Sequence, residues 1–105
     1  MELLTKELRE KFQQTGRQDG GDPGEHLCIV KFFDPMGSWT WYATEFDGKD
    51  TFFGLVDGFE LEWGPWSLKE MEDIGKSRIL GIERDLYGGY PKKLNEVSAL
   101  KGRLN

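Results

Sequence analysis

Three carboxylates, Glu45, Glu83 and Asp85, are the side chains of this sequence best suited by type and spacing to acid–base chemistry. Glu83 and Asp85 flank Arg84 in a strand-like run. Residues two apart on a strand share a face and lie about 7 Å apart. A pair of that kind serves hydrolysis when burial drives the two pKa values apart. Arg84 projects the other way, toward Leu80 and Ile82, so its charge needs a partner such as Glu45 or a place at the rim. The ordinary reading of these residues is an ion-pair network that sets sheet register.

Other catalytic and metal templates are thin. His26 is the only histidine and Cys28 the only cysteine. They stand two apart on a strand, so the side chains can approach. A nucleophile pair, however, needs an exposed thiolate, and Cys28 sits in the apolar run Leu27-Cys28-Ile29-Val30. A single cysteine forms no intrachain disulfide and no two-cysteine metal motif, so no metal is expected and the reducing cytoplasm is the expected compartment. Asp47, Asp50 and Asp57 lie near turns, but their spacing fits no complete calcium loop. The glycines at 16–24 do not sit between a strand and a helix in the order that phosphate or dinucleotide loops require, so no cofactor is expected.

The stronger signal is aromatic. Eleven of the fourteen aromatic residues fall between Phe32 and Trp66. A domain this small cannot cover both faces of every strand, so some rings reach the surface. Trp39, Trp41, Tyr42, Trp63 and Trp66 are the candidates, with Glu60 and Glu62 beside them. Exposed tryptophan and tyrosine next to acids make a protein-binding patch.

Charge points the same way. The net charge is −5, and residues 34–73 carry ten acids against Lys49 and Lys69, a net −8. Residues 74–105 carry three acids and seven bases. An acidic middle repels phosphate backbones, so nucleic acid is an unlikely partner. No apolar run approaches the roughly 20 residues of a membrane span. The opening residues lack the apolar stretch of a signal peptide.

The elements that position these residues are legible from local patterns. The chain of 105 residues is one domain, 1–105, with room for one modest core. Thr5 caps an N-terminal helix whose Leu4, Leu8 and Phe12 make one stripe. The Gly-rich run 15–25 is a flexible loop. Strands follow over 26–33, 39–46, 51–56 and 59–63, joined by Asp34-Pro35-Met36-Gly37, Asp47-Gly48-Lys49-Asp50 and Asp57-Gly58. Along 39–46, Trp39, Trp41 and Ala43 share one face and Thr40, Tyr42, Thr44 and Phe46 the other. Phe59, Leu61 and Trp63 point inward, Glu60 and Glu62 outward. Ser67 and Glu70 form a capping box for a short helix near 67–75, with Trp66 and Met71 as a staple and Gly75 as the stop. A further strand is centred near Leu80–Arg84. Helical turns follow from Asn95, and 101–105 is a frayed tail. The fold class is α+β, an antiparallel sheet of four or five strands built on a meander, with the helices on one face or edge.

Several runs resemble one bacterial family, domain of unknown function 2958. They are residues 3–11, Val30-Lys31-Phe32-Phe33, the stretch Trp39 to Phe46, Phe53-Gly54-Leu55-Val56 with Gly58-Phe59-Glu60, and Ile82 to Tyr87. The likeness covers roughly residues 3–97. It implies a small cytoplasmic protein associated with plasmids or other mobile elements, and it carries over no activity and no catalytic residue. The stretch 62–66 is more aromatic than the family pattern, and the loop at 16–24 is this chain's own.

Three functions follow as expectations. The first is a non-enzymatic protein-interaction domain, accessory to mobile-element DNA processing. One version is a surface that mimics DNA, with Asp50, Asp57, Glu60 and Glu62 on one face. The second is a small hydrolase or ligand-binding enzyme using Glu45, Glu83 and Asp85. The third is a structural accessory subunit held by an exposed edge strand such as 78–87. The oligomeric state is not legible.

Overall fold

The computed structural model describes residues 1–104 and is an α+β domain. Helix α1 spans Lys6–Thr15. Strands β1 (Leu27–Cys28), β2 (Val30–Phe33), β3 (Thr40–Phe46), β4 (Thr51–Asp57) and β5 (Leu61–Ser67) follow, then α2 (Leu68–Ile74), β6 (Glu83–Arg84) and β7 (Lys92–Lys93). The main sheet is antiparallel in the order β5-β4-β3-β2-β6, so β2 to β5 form the expected meander. The apolar run 26–33 is not one strand. Ile29 gives its N–H to Ala43 O and leaves β1 to pair with β7 in a separate two-stranded ribbon.

Local chemistry accounts for the joints. Thr5 Oγ1 accepts the Leu8 N–H and caps α1. The Asp47 carboxylate accepts the N–H groups of Lys49, Asp50 and Thr51, which closes the β3–β4 hairpin around Gly48. Those three bonds hold the Asp47 carboxyl below the usual aspartate range. Ser67 Oγ accepts the Glu70 N–H as expected. The partner that completes the cap is Asp50, which takes the Ser67 hydroxyl proton at 2.6 Å and the Lys69 N–H at 2.9 Å.

The single expected core is divided by the sheet. On one face α1, α2 and the N-terminal segment bury Leu3, Leu4, Phe12, Leu68 and Met71 against Val30, Phe32, Ala43 and Phe52. On the other, two 3-10 turns, Leu94–Glu96 and Ser98–Leu100, bury Leu94, Val97 and Leu100 against Cys28, Tyr42 and Leu55. We call these the helix face and the tail face. The two 3-10 turns are the helical turns expected from Asn95, and in the following segment, expected to fray, Leu104 packs against the same cluster. Arg103 forks onto Asp57 through two bonds of 3.0 Å. Asn105, the last residue of the expected tail, lies outside the described residues.

Two further expectations change. The β3–β4 register slips between Ala43 and Glu45, so Thr44 is a bulge residue. The extra residue turns Phe46 onto the helix face beside Phe12 and Phe52, away from Tyr42. Segment 78–87 pairs only at Glu83–Arg84, because Gly81 packs backbone-to-backbone on Gly75 and bends the approach. Within the loop 15–25, Gln18 Nε2 donates to Leu27 O and Thr44 O, and Gln18 Oε1 accepts the Leu27 N–H.

Candidate functional site

The meander places Trp39 and Trp41 at one end of the helix face, beside the β4–β5 turn. Trp39 lies over Gly58, where a Cβ would meet the indole at 2.6 Å, so only glycine allows this seat. The Phe59 ring meets Trp39 edge-on at 5.4 Å, and Trp41 sits 6.2 Å away on the other side. Phe59 is 95% exposed, a correction to the expectation that it points inward. The register explains this. Glu62 pairs with Val56 across β4–β5 on the helix face, but the helices do not reach that end, and no described residue covers Glu60, Glu62 or the ring beside them. Trp39, Val56, Gly58, Phe59, Glu60 and Glu62 enclose a shallow depression of about 290 Å³.

Glu60 and Glu62 are the acids that line this depression. Most other acids in the middle of the chain already have work. Asp34 pairs with Arg78 at 2.7 Å, Asp57 with Arg103, and Asp73 with Lys69 and Lys76. Asp47 and Asp50 serve turn and cap. Among the described residues neither the Glu60 nor the Glu62 carboxylate has an ion-pair or hydrogen-bond partner. Asp57, opposite Leu61, lies on the tail face, so the four acids of the DNA-mimic expectation do not form one surface.

The remaining aromatic candidates divide. Tyr42 is fully buried in the tail-face core, and burial, helped by Asp57, raises its hydroxyl to about 12. Trp66 is half-buried, stacked 5.5 Å from Phe52 under the helices. Leu61 is half-buried. Trp63 points to the tail face and is 37% exposed; it stacks on Phe53 at 6.1 Å and takes the His26 ring edge-on at 5.8 Å. Phe53, Phe59 and His26 are the residues of these patches that spacing alone did not single out. The signal for Phe59 lay in Gly58, the glycine that admits Trp39.

The three catalytic candidates are not brought together. Glu45 accepts the Gln18 N–H at 3.0 Å and shares a depression with His26, Phe53 and Trp63. Glu83 stands opposite Phe33 on β6, at the other end of the sheet. Asp85 is 3.6 Å from Lys31 and accepts the N–H groups of Tyr87 and Gly88. Burial pushes the Asp85 carboxyl up, but those bonds and Lys31 outweigh it and hold the group below its ordinary value. Arg84 turns its guanidinium to the carbonyls of Glu2 and Leu3 and ties the N-terminal segment to β6, far from Glu45. Cys28 is buried and donates to Val30 O, and burial pushes its thiol well up, away from thiolate chemistry. His26 Nε2 is 2.8 Å from Gly20 O. Among the described residues no three His, Cys, Asp or Glu side chains gather as metal ligands, and no helix is long and apolar enough to cross a membrane.

Comparison with curated proteins and with solved structures gives no match. Comparison with family models does, over nearly the whole length, and it agrees with the resemblance carried by the aromatic strands: the chain belongs to the family described as protein of unknown function, DUF2958, whose model matches residues 3–101.

Proposed function

We propose that this protein is a small, non-enzymatic interaction domain whose binding surface is the Trp39–Trp41–Phe59 patch with Glu60 and Glu62. The observation that carries the reading is the pairing of an almost fully exposed Phe59, held edge-on to Trp39, with two carboxylates that no cation neutralises. A monomer gains nothing by displaying that ring. A partner gains an aromatic anchor with an acidic rim, the composition of interaction hot spots. The fitting partner is a protein surface that presents lysine or arginine beside an apolar side chain. A cation placed over the indole with a carboxylate alongside is favoured twice, by the ring quadrupole and by charge.

A cytoplasmic setting belongs to this reading, supported by a lone, buried Cys28. So does a partner among DNA-processing or restriction proteins, the class that the family's link to mobile elements suggests. The partner is held through direct contact with the patch rather than through mimicry of DNA, because Asp50 and Asp57 are engaged elsewhere.

The test is affinity capture from native lysate with three baits: the natural chain, Glu60→Lys/Glu62→Lys and Gly58→Ala. The expected result is a partner retained by the natural chain, lost from the charge-reversed bait, and lost as salt rises from low to moderate. Identical captured proteins on all three baits would refute the patch.

A further inference from the structure

The main sheet has two edge strands, and they are not equivalent: the Arg84 N–H of β6 already donates to Met1 Sδ at 3.1 Å. The β6 edge is two residues long, whereas β5 runs for seven and pairs only with β4. Its hydrogen-bond phase can be read from its ends. Gly58 N–H donates to Glu60 O at 3.1 Å, and Leu68 N–H donates to Asp50 O at 2.8 Å. Antiparallel pairing alternates, so the residues of β5 that bond to β4 are Glu62, Gly64 and Trp66, opposite Val56, Gly54 and Phe52. The alternate residues, Leu61, Trp63 and Pro65, turn their backbone groups outward. Pro65 has no N–H to offer, as expected at an edge. Leu61 and Trp63 each present one N–H and one C=O to the surroundings.

We propose that β5 accepts an additional strand along residues 60–63, from a partner segment in which basic and apolar side chains alternate. The proposal rests on the interaction reading above and specifies the conformation of the bound segment. Side chains alternate across a strand, so an added strand places every second residue over each face. On the helix face those residues meet Glu60 and Glu62, with Trp39 and Phe59 behind them. On the tail face they meet Leu61 and Trp63. Charge complementarity therefore asks for lysine or arginine at one set of positions and apolar residues at the other. A second copy of this chain is a poor occupant: antiparallel self-pairing centred on Leu61 sets Glu60 opposite Glu62 twice, and like charges across a strand pair destabilise it. Pro65 limits the added strand to the 60–63 end.

The test uses synthetic heptapeptides and the full chain. The probe is acetyl-Lys-Val-Lys-Val-Lys-Val-Lys-amide. Its controls are a block isomer of the same composition and two versions N-methylated at alternate residues, one in each phase. Binding and amide hydrogen exchange are followed by NMR. The alternating peptide should bind about tenfold or more tightly than the block isomer, and one N-methylated phase should lose about tenfold. Exchange at the Leu61 and Trp63 amides should slow by a similar factor. Equal binding by the block isomer, equal binding by both N-methylated peptides, or unchanged exchange at both amides overturns strand addition. If N-methylation is harmless but Glu60→Lys/Glu62→Lys abolishes binding, the patch stands and the strand falls. If charge reversal leaves binding intact, the patch reading falls, and the basic character of the strand falls with it. A natural chain that dimerises through Leu61 and Trp63 in sedimentation replaces the proposed occupant and also overturns it.

Discussion

The two ends of the helix face are built from the same kind of residue and behave oppositely. At one end Phe12, Phe46, Phe52 and Trp66 interlock under α1 and α2, with ring centroids 4.7 to 6.0 Å apart. At the other, Trp39, Trp41 and Phe59 make similar contacts at 5.4 to 6.2 Å, but only Trp41 reaches the edge of that core, Trp39 is half-buried, and no described residue covers Phe59. Aromatic packing geometry is thus not what separates core from surface here. Coverage is. Helix α1 has ten residues and α2 seven, so neither extends along the full length of the strands.

If coverage is the difference, truncation should have unequal costs. Phe52→Ala removes a fully buried ring and should cost about 3–5 kcal/mol in urea unfolding. Phe59→Ala should cost no more than about 0.5 kcal/mol while weakening partner capture. Similar losses of stability at the two sites would break the comparison. A second pair separates backbone from ring effects. A Cβ on Gly54 would lie 2.0 Å from Tyr42 O, with no flexible atom to yield, so Gly54→Ala should destabilise by several kcal/mol. Gly58→Ala meets only the Trp39 ring, which can swing outward. It should cost about 1 kcal/mol and change tryptophan emission, and unaltered emission would mean that Trp39 is not seated there.

A smaller effect tests how the covered end is closed. Asp50→Ala removes the acceptor that joins the β3–β4 turn to the start of α2, and should cost about 1 kcal/mol with the fold intact. The smallest effects are pH linkages on the tail face. The Asp85 carboxyl lies below its ordinary value in the fold. Its stabilisation is complete above the unfolded aspartate value and is lost as pH falls through the folded one, so Asp85→Asn should flatten the acid limb of stability. The Tyr42 hydroxyl is raised to about 12. Its contribution is complete below the unfolded tyrosine value near 10 and is lost as pH rises through the folded value. In a Tyr87→Phe/Tyr90→Phe protein, which leaves Tyr42 as its one tyrosine, tyrosinate absorbance appearing at pH 10 with the protein still folded would contradict the burial of Tyr42.

What could be read in advance follows the range of the forces involved. Thr5 as a cap, Asp47-Gly48 as a hairpin turn and Ser67 as the start of α2 depend on atoms a few residues apart, and the sequence carries them. The same holds for the alternation that made β2 to β5 a meander. The bulge at Thr44 has no local signature, because a one-residue slip is chosen by what Phe46 meets on the far side of the sheet. The short β6 was misjudged for a similar reason: Leu80 and Leu86 alternate well, but the contact between Gly75 and Gly81 bends the chain before it can pair.

The candidate site divides along the same line. Residue types alone determined that this acidic, aromatic-rich chain forms an α+β meander and that it has more rings and carboxylates in its middle than a small core can hold. Only the tertiary structure decided which of them remain outside. Tyr42 disappears under the C-terminal turns, Trp66 under the helices, and Asp57 is taken by Arg103 from 46 residues away. Glu60, Glu62 and Phe59 stay free because the covering elements end before they reach them. Burial depends on which segment lies above a strand, and that is a property of how distant parts of the chain are laid over one another, which no spacing within a strand encodes.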